Sequence, residues 1–450
     1  MTRTRFGEQA RRSFASGLLK RRLAGATNQD DMRDRLPLGD ASLLKEADII
    51  RSVGAYLDIG NPFFRSHDGL AGAKTTINGC IYDNFASYNY LGLNGHPDVV
   101  EAVHRAIDTY GTSVSASRLA SGERPLHRDL ERALADIHGT EDSLTFVSGH
   151  ATNVTVIGVL VDRNDVILHD ALIHNSIVQG AQLSGARRVS FAHNDPTDLE
   201  RHLIQLKGKA KRFLIVVEGH YSMDGDVPDL HAFSAIARRH NAWLMVDEAH
   251  SLGVLGERGL GAAEYAKADP GIVDIWMGTL SKTLSACGGY IAASAQLIDY
   301  LRYMAPGFVF SVGLAPPLAA AALASLKVMQ REPERVRRLQ TNGASFLKQA
   351  RESGLNTAGS VGAAIVPVVI GSSIRAAIVS QKLFEAGINV QPILYPAVPD
   401  GSARLRFFLS SEHTEDRIRH TVAETARVLS SPTGNVDYAG LIAKITGHSG

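Results

Sequence analysis

From about residue 85 the chain settles into one alternation: a short unbroken apolar run, a polar or glycine stop, a stretch with helical spacing, then another apolar run. The runs are "DSLTFVSG", "DVILHD", "RFLIVVEG", "NAWLMVDEAH", "DIWMGTLSK" and "YIAAS". A strand with one wet face alternates apolar and polar residues. These runs do not, so both of their faces must be covered. The pattern predicts an α/β fold, with a large, mainly parallel sheet between helices. The helical stretches carry their own stop signals. "HPDVVEAVHRAIDTYG" aligns Val99, Val100, Val103 and Ile107 and stops at Gly111. "PLHRDLERALADIHG" aligns Leu126, Leu130, Leu134 and Ile137 and stops at Gly139.

The style changes beyond an Ala/Leu-rich helix expected around 316–330. "AAIVPVVIG", the helix "RAAIVSQKLFEAG", "INVQPILYP", "RLRFFLS" and a last helix from near Thr414 read as a smaller α+β domain. The expected division is an arm at 1–60, a large domain at 61–320 and a small domain at 321–450. A net charge of +1 gives no support to nucleic-acid or membrane-surface binding. No stretch of about 20 consecutive apolar residues appears, so no transmembrane span is expected. Cys80 and Cys287 form no CxxC pair, so neither a disulfide framework nor a metal site is indicated, and a reducing cytoplasm fits best. Locally, Arg3, Arg5, Arg11, Arg12, Lys20, Arg21 and Arg22 stand against Glu8 alone. This reads as a solvated arm, suited to docking an acidic partner, rather than as an organelle transit peptide.

No GxGxxG opens a helix after a strand and no GxxxxGK[ST] occurs, so the standard nucleotide fingerprints are missing. Polar residues instead gather at the C-terminal ends of the predicted strands, where open α/β sheets bind ligands. Asp247 ends "AWLMVDEAH", and a carboxylate leaving a buried strand is costly unless a cation or donors meet it. Alone it would read as a helix cap or structural ion pair, but His250 follows, and Lys282 closes the next run. One ligand accounts for both charges: pyridoxal 5'-phosphate (PLP), its ring nitrogen protonated opposite Asp247 and its aldehyde joined to Lys282. Around that lysine, Thr279 and Ser281 offer phosphate donors without charge, and glycines let the backbone approach. The junction Ser148-Gly149-His150 opens a helix and makes an anion site for the same phosphate. In "HDALIHNS", His174 offers a flat ring to stack on a pyridine, and "EGHYSMDGD" brings Ser222, Asp224 and Asp226 after a strand end in a spacing that suits a turn better than a metal. In "ARLRFFLS", Arg404 and Arg406 share one strand face, Phe407 and Leu409 the other, and an arginine grips a carboxylate bidentately.

With these residues collected, the chain resembles the α-oxoamine synthases of the fold-type I PLP superfamily. That family includes serine palmitoyltransferase, 8-amino-7-oxononanoate synthase, 5-aminolevulinate synthase and 2-amino-3-ketobutyrate CoA ligase. The likeness runs from "ASYNYLGLNGHPDV" through "SGERPLHRDLE", "EGHYSMDGD", "VDEAHSLGVLGERGLG" and "GTLSKTLSACGGY" to "YPAVPDGSARLR", roughly residues 80 to 430. It implies Lys282 as the Schiff-base lysine and Asp247 as partner of the pyridinium nitrogen. It further implies His250 on the phenolic oxygen, His174 on the ring face and Ser222 beside the ring. Gly149, His150, Thr279 and Ser281 would line the phosphate site, and Arg406 would hold the substrate carboxylate. Homodimers with active sites at the interface are implied as well.

The expected reaction is a decarboxylative condensation of glycine, alanine or serine with an acyl thioester of CoA or an acyl carrier protein. An aminotransferase of the same fold is the alternative, while a non-catalytic partner subunit would be expected to lack Lys282. Departures bear on the substrate. Leu394 stands where users of long or dicarboxylic acyl groups often carry Arg, leaving Arg406 as the main grip. Arg118-Leu119-Ala120-Ser121-Gly122 replaces the Arg-Asn-Ile-Ser-Gly usual in aminolevulinate synthases, against a succinyl substrate. His150 replaces an aromatic residue, Val312 replaces a Thr that often reaches the neighbouring subunit's phosphate, and the arm before residue 60 is long. Together these suggest a diverged branch whose basic arm suits an acidic acyl carrier.

Overall fold

The apolar runs become the strands of one seven-stranded sheet in the computed structural model, which describes residues 61–431; the arm predicted at 1–60 lies outside the described residues. A hairpin of β1 (Lys74–Ile77) and β2 (Cys80–Asn84) comes first. The large sheet follows: β3 (Asp142–Phe146), β4 (Val166–Asp170), β5 (Arg187–Phe191), β6 (Phe213–Glu218), β7 (Trp243–Asp247), β8 (Ile275–Thr279) and β9 (Gly289–Ala293). Its order is β3-β9-β8-β7-β6-β4-β5. From β5 to β8 all neighbours are parallel, while β9 runs antiparallel to both β8 and β3. The ends of β3, β4, β6, β7 and β8 therefore open on one edge of the sheet.

The continuous apolar character of the strands is used on both sides. Ile167, Leu214, Val216, Met245 and Met277 point into one core, with Val156, Ile157 and Ile177 from the helices that cover it. Leu168, Ile215, Val217, Leu244 and Val246 point into the other, against Leu130, Leu134 and Phe233. Each such fully buried side chain contributes on the order of 1.5–3 kcal/mol.

Helix α1 (Pro97–Tyr110) starts on Pro97 and ends at Gly111, φ 73°, and α2 (Pro125–His138) ends at Gly139 in the left-handed region. The apolar face expected on α1 is only partly used. Val99 and Ala106 are buried, but Val100 and Ile107 remain 41% and 38% exposed. The reason is a narrow contact: α1 lies beside an alanine-rich helix, Pro316–Arg331, that meets it along one stripe.

Beyond that helix, β10 (Ile365–Gly371), β12 (Gln391–Ile393) and β13 (Ala403–Phe408) form an antiparallel sheet in the order β10-β13-β12. The short β11 (Ile388–Asn389) leaves it and pairs with β2 in parallel, so the early hairpin is bonded to the late part of the chain. The last described helix, Glu415–Ser430, is preceded by Thr414 as expected. Among the described residues no helix is long and apolar enough to cross a membrane.

Candidate active site

Helix α3 (Gly149–Leu160) begins where β3 ends, with Ser148 as its N-cap accepting from the Ala151 N–H. Its first amides face a patch built by the β8–β9 connection. There Thr279 Oγ1 lies 2.8 Å from Ser281 Oγ and donates to the Gly288 carbonyl at 3.0 Å. Side chains are excluded from this junction. A Cβ on Gly149 would stand 2.8 Å from Thr279 Oγ1, and one on Gly289 2.6 Å from the Gly149 Cα. Hydroxyls and helix-start amides without a carboxylate among them suit a phosphate.

Behind the patch is a cavity of about 230 Å³. Asp247 enters it as the last residue of β7, 4% exposed. Its Oδ1 accepts from the Ala249 amide at 2.9 Å and its Oδ2 from Asn153 Nδ2 at 2.9 Å. Asn153 also donates to Ser176 Oγ at 3.0 Å. Two neutral donors orient the carboxylate without neutralising it, leaving its charge for a cationic ligand group. Lys282 lies on the same cavity, three residues beyond the end of β8 rather than at the strand end, inside the connection to β9. None of the ion pairs among the described residues involves it. Burial pushes its ammonium down to about 8, against the pull of the Asp247 carboxylate.

Glu218 ends β6 directly opposite Asp247 in the strand register. Its Oε2 accepts the Ser222 amide at 3.0 Å, and its buried Oε1 has no partner. Burial and then the Asp247 charge push this carboxyl up to about 8, so it carries a proton at neutral pH.

His250 Nδ1 meets Tyr90 Oη at 2.7 Å. Burial, then the charges of Lys282 and Arg406, hold this imidazole well below its ordinary range, and burial raises the Tyr90 phenol. Tyr90 is therefore the donor, which places the imidazole proton on Nε2. His174 caps helix α4 (Asn175–Ser184), and its Nδ1 lies 2.7 Å from Ser176 Oγ. Its ring stands open to solvent across the cavity, edge-on to His150 at 6.5 Å.

The two arginines of β13 diverge. Arg404 is paired with Asp224 and bonded to the Met223 carbonyl. Arg406 donates from Nη1 to the Ser222 carbonyl at 2.9 Å, packs on the Phe408 ring and keeps a buried Nε with no partner. It takes part in no ion pair among the described residues. Phe407 and Leu409 are fully buried, as the strand alternation predicts.

Of the residues singled out in the sequence, Gly149, His150, His174, Asp247, His250, Thr279, Ser281 and Lys282 line one cavity. Ser222 and Arg406 do not line it; Ser222 reaches the site through its carbonyl, which holds Arg406. Asn153, Ser176, Glu218 and Tyr90 were missed. Glu218 had a signal, since it ends an apolar run as Asp247 does. The others join through contacts that no local spacing encodes. Among the described residues no cluster of His, Cys, Asp and Glu suits a metal ion.

The buried donor set, the glycine junction and the unpartnered Arg406 Nε and Glu218 Oε1 fit a phosphorylated ring and a carboxylate-bearing substrate. Comparison with known proteins agrees. The family model for aminotransferase class I and II matches residues 82–424. The chain is 41% identical over 389 residues to an 8-amino-7-oxononanoate synthase of Geobacter sulfurreducens, covering 86% of this chain and 97% of that one. Its fold matches a serine palmitoyltransferase of Sphingomonas wittichii with TM-score 0.82 at 30% identity, covering 88% of this chain and 98% of the other. It also matches an SPT solved with PLP, with TM-score 0.81 at 30% identity, over 86% of this chain and 98% of that one.

Proposed function

This chain belongs to the class I and II aminotransferase family and, within it, to the α-oxoamine synthases, and on that premise we propose a role for each residue around the cavity. It is a PLP-dependent C-acyltransferase, condensing an amino acid with an acyl thioester and releasing CO₂ and free thiol. Bound PLP supplies an aldehyde that captures amines and a protonated ring that accepts the electron pair left at Cα.

Thr279, Ser281, His150 and the amide of Gly149 hold the phosphate. Asp247 keeps the proton on the ring nitrogen, its own orientation fixed by Asn153 and Ala249. His250 offers Nε2–H to the phenolic oxygen, and His174 covers the ring face and donates to the thioester oxygen. Arg406 grips the substrate carboxylate until it leaves as CO₂. Lys282 would hold the aldehyde end of the cofactor and would serve as the base that takes the Cα proton and the acid that later returns one. Its titration at about 8 suits a group that must both accept and give a proton near neutrality.

One observation carries this division of labour: a carboxylate at the end of β7 and a buried lysine titrating at about 8 in the connection after the neighbouring parallel strand β8 enter one cavity. The amino acid is glycine, alanine or serine, its carboxylate received by Arg406, whose buried Nε has no partner. The donor is a thioester of CoA or of an acyl carrier protein, the basic arm favouring the carrier. Phe310 and Val312, 87% and 49% exposed, support a homodimer that shares its sites. A cytoplasmic setting and a division at 61–320 and 321–450 complete the reading. The large sheet lies wholly within the first part and the β10-β13-β12 sheet within the second. The test is a spectral titration of the holoenzyme with each amino acid, then mass spectrometry of products with each thioester. A ketone formed without CO₂ release would overturn the condensation.

A further inference from the structure

The ends of β4 and β5 and the turn after β6 are tied together by a side chain outside the lining of the cavity. His193 follows β5, and its two ring nitrogens face two carboxylates, Asp170 Oδ1 at 2.8 Å and Asp226 Oδ2 at 2.9 Å. Asp170 closes β4 and is fully buried. It also accepts from the Leu172 amide at 2.7 Å, the Asn194 amide at 2.8 Å and Tyr221 Oη at 3.0 Å. Asp226 accepts from Asn194 Nδ2 at 2.5 Å, and its main-chain carbonyl takes the Tyr221 amide at 2.9 Å. The Tyr221 ring stands edge-on to His193 at 4.6 Å. Burial works against a charged ring here, but bonds to Asp170 and Asp226 outweigh it and push His193 up to about 10. Both nitrogens then donate, and an imidazolium between two carboxylates makes stronger bonds than a neutral ring.

The two loops so joined carry different parts of the site. The segment after Asp170 leads to His174, which caps α4. The turn before Asp226 carries Ser222, whose carbonyl holds Arg406, and Asp224, which holds Arg404. We propose that His193 is a positioning residue for the condensation: clasped between Asp170 and Asp226, it fixes where Arg406 stands relative to His174 and so sets how well the amino-acid carboxylate is received. This rests on Arg406 being the carboxylate grip.

The test is a double-mutant cycle in the holoenzyme. His193→Gln, which keeps one donor and similar size, is combined with Arg406→Ala, and the amino-acid dissociation constant (by spectral titration), KM, kcat and Tm are measured for each. His193→Gln should raise the amino-acid dissociation constant and KM about tenfold with kcat at saturation little changed. Added to Arg406→Ala it should cost almost nothing more in binding, because the grip it positions is gone. Asp226→Asn, which loosens the clasp from the other side, should repeat the pattern if His193→Gln fails to fold. An unchanged dissociation constant with only a lower Tm, or penalties that simply add, would overturn the clasp. If Arg406→Ala itself leaves amino-acid binding intact, the grip reading fails instead.

Discussion

The two sheets that face the site build it by different means. The large sheet contributes strand ends: Asp247, Glu218 and the residues just past Thr279 arrive at one edge because their strands run parallel and stop together. The small antiparallel sheet contributes a strand face, where Arg404 and Arg406 lie two residues apart. Strand ends are oriented by the helices and loops that follow the strands, as when Asn153 of α3 and the Ala249 amide just past β7 hold Asp247. A strand face must be sorted by what packs against it. Asp224 takes Arg404, and Arg406 is left with a main-chain carbonyl, a sulfur and an unpartnered Nε. The first arrangement suits holding a cofactor through many turnovers, and the second suits the role proposed for Arg406, admitting a carboxylate that must then depart.

Substitutions can break that contrast. Lys282→Ala should lower turnover by at least about 10³-fold and remove the visible absorbance of the holoenzyme, read by spectrophotometry alongside an activity assay. On the strand face the two arginines should part. Arg406→Ala should raise the amino-acid KM by roughly 10–100-fold, the weight of a charged hydrogen-bonded pair. Arg404→Ala should lower Tm by several °C, by order of magnitude, and leave KM near the wild-type value, since it strands Asp224 rather than the substrate. Equal KM effects from both would erase the distinction.

Titration sharpens the strand-end side. Burial depresses Lys282 to about 8, so its neutral, reactive fraction grows as pH rises to that point and levels off above it. Capture of PLP by the cofactor-free protein should accelerate about tenfold per pH unit below 8 and flatten beyond, by stopped-flow absorbance. Tyr90→Phe, which removes the donor that sets the His250 tautomer, should cost about five- to tenfold in kcat. The smallest expected effect belongs to Glu218. Its folded titration, about 8, lies above the ordinary 4.5, so its contribution to stability is complete below about 4.5 and is lost as pH rises through 8. Glu218→Gln cannot titrate, and the cofactor-free variant should lose roughly a few °C less in Tm than wild type between pH 6 and 9.

Much of this was legible along the chain because burial on both faces forces unbroken apolar runs, and the residues that end them stand out. Asp247 was visible for that reason, and Gly111 and Gly139 marked helix ends. Other features belong to the third dimension. The edge strand β5, "RRVSF", carries arginines that an interior strand would not tolerate, so it lacks the apolar signature. The reversed direction of β9 depends on a connection too short to cross over the sheet. On α1 the spacing places Val100 and Ile107 on the expected apolar face, yet both stay exposed, because the neighbouring helix meets only the flank defined by Val99 and Ala106. Tyr90 and Asn153 lie far along the chain from the residues they serve, and only the folded core brings them to His250 and Asp247.

The reversal of β9 has a consequence for the lysine. Thr279 and Gly289 are register partners, and within the connection Leu280 bonds Gly288 and Ala286 bonds Leu280. Lys282 thus sits on a short leash fastened at both ends to adjacent strands. On the role proposed for Lys282, an amine freed by the substrate would have nowhere to drift, and its local concentration at the reacting carbon would stay high for the steps that follow.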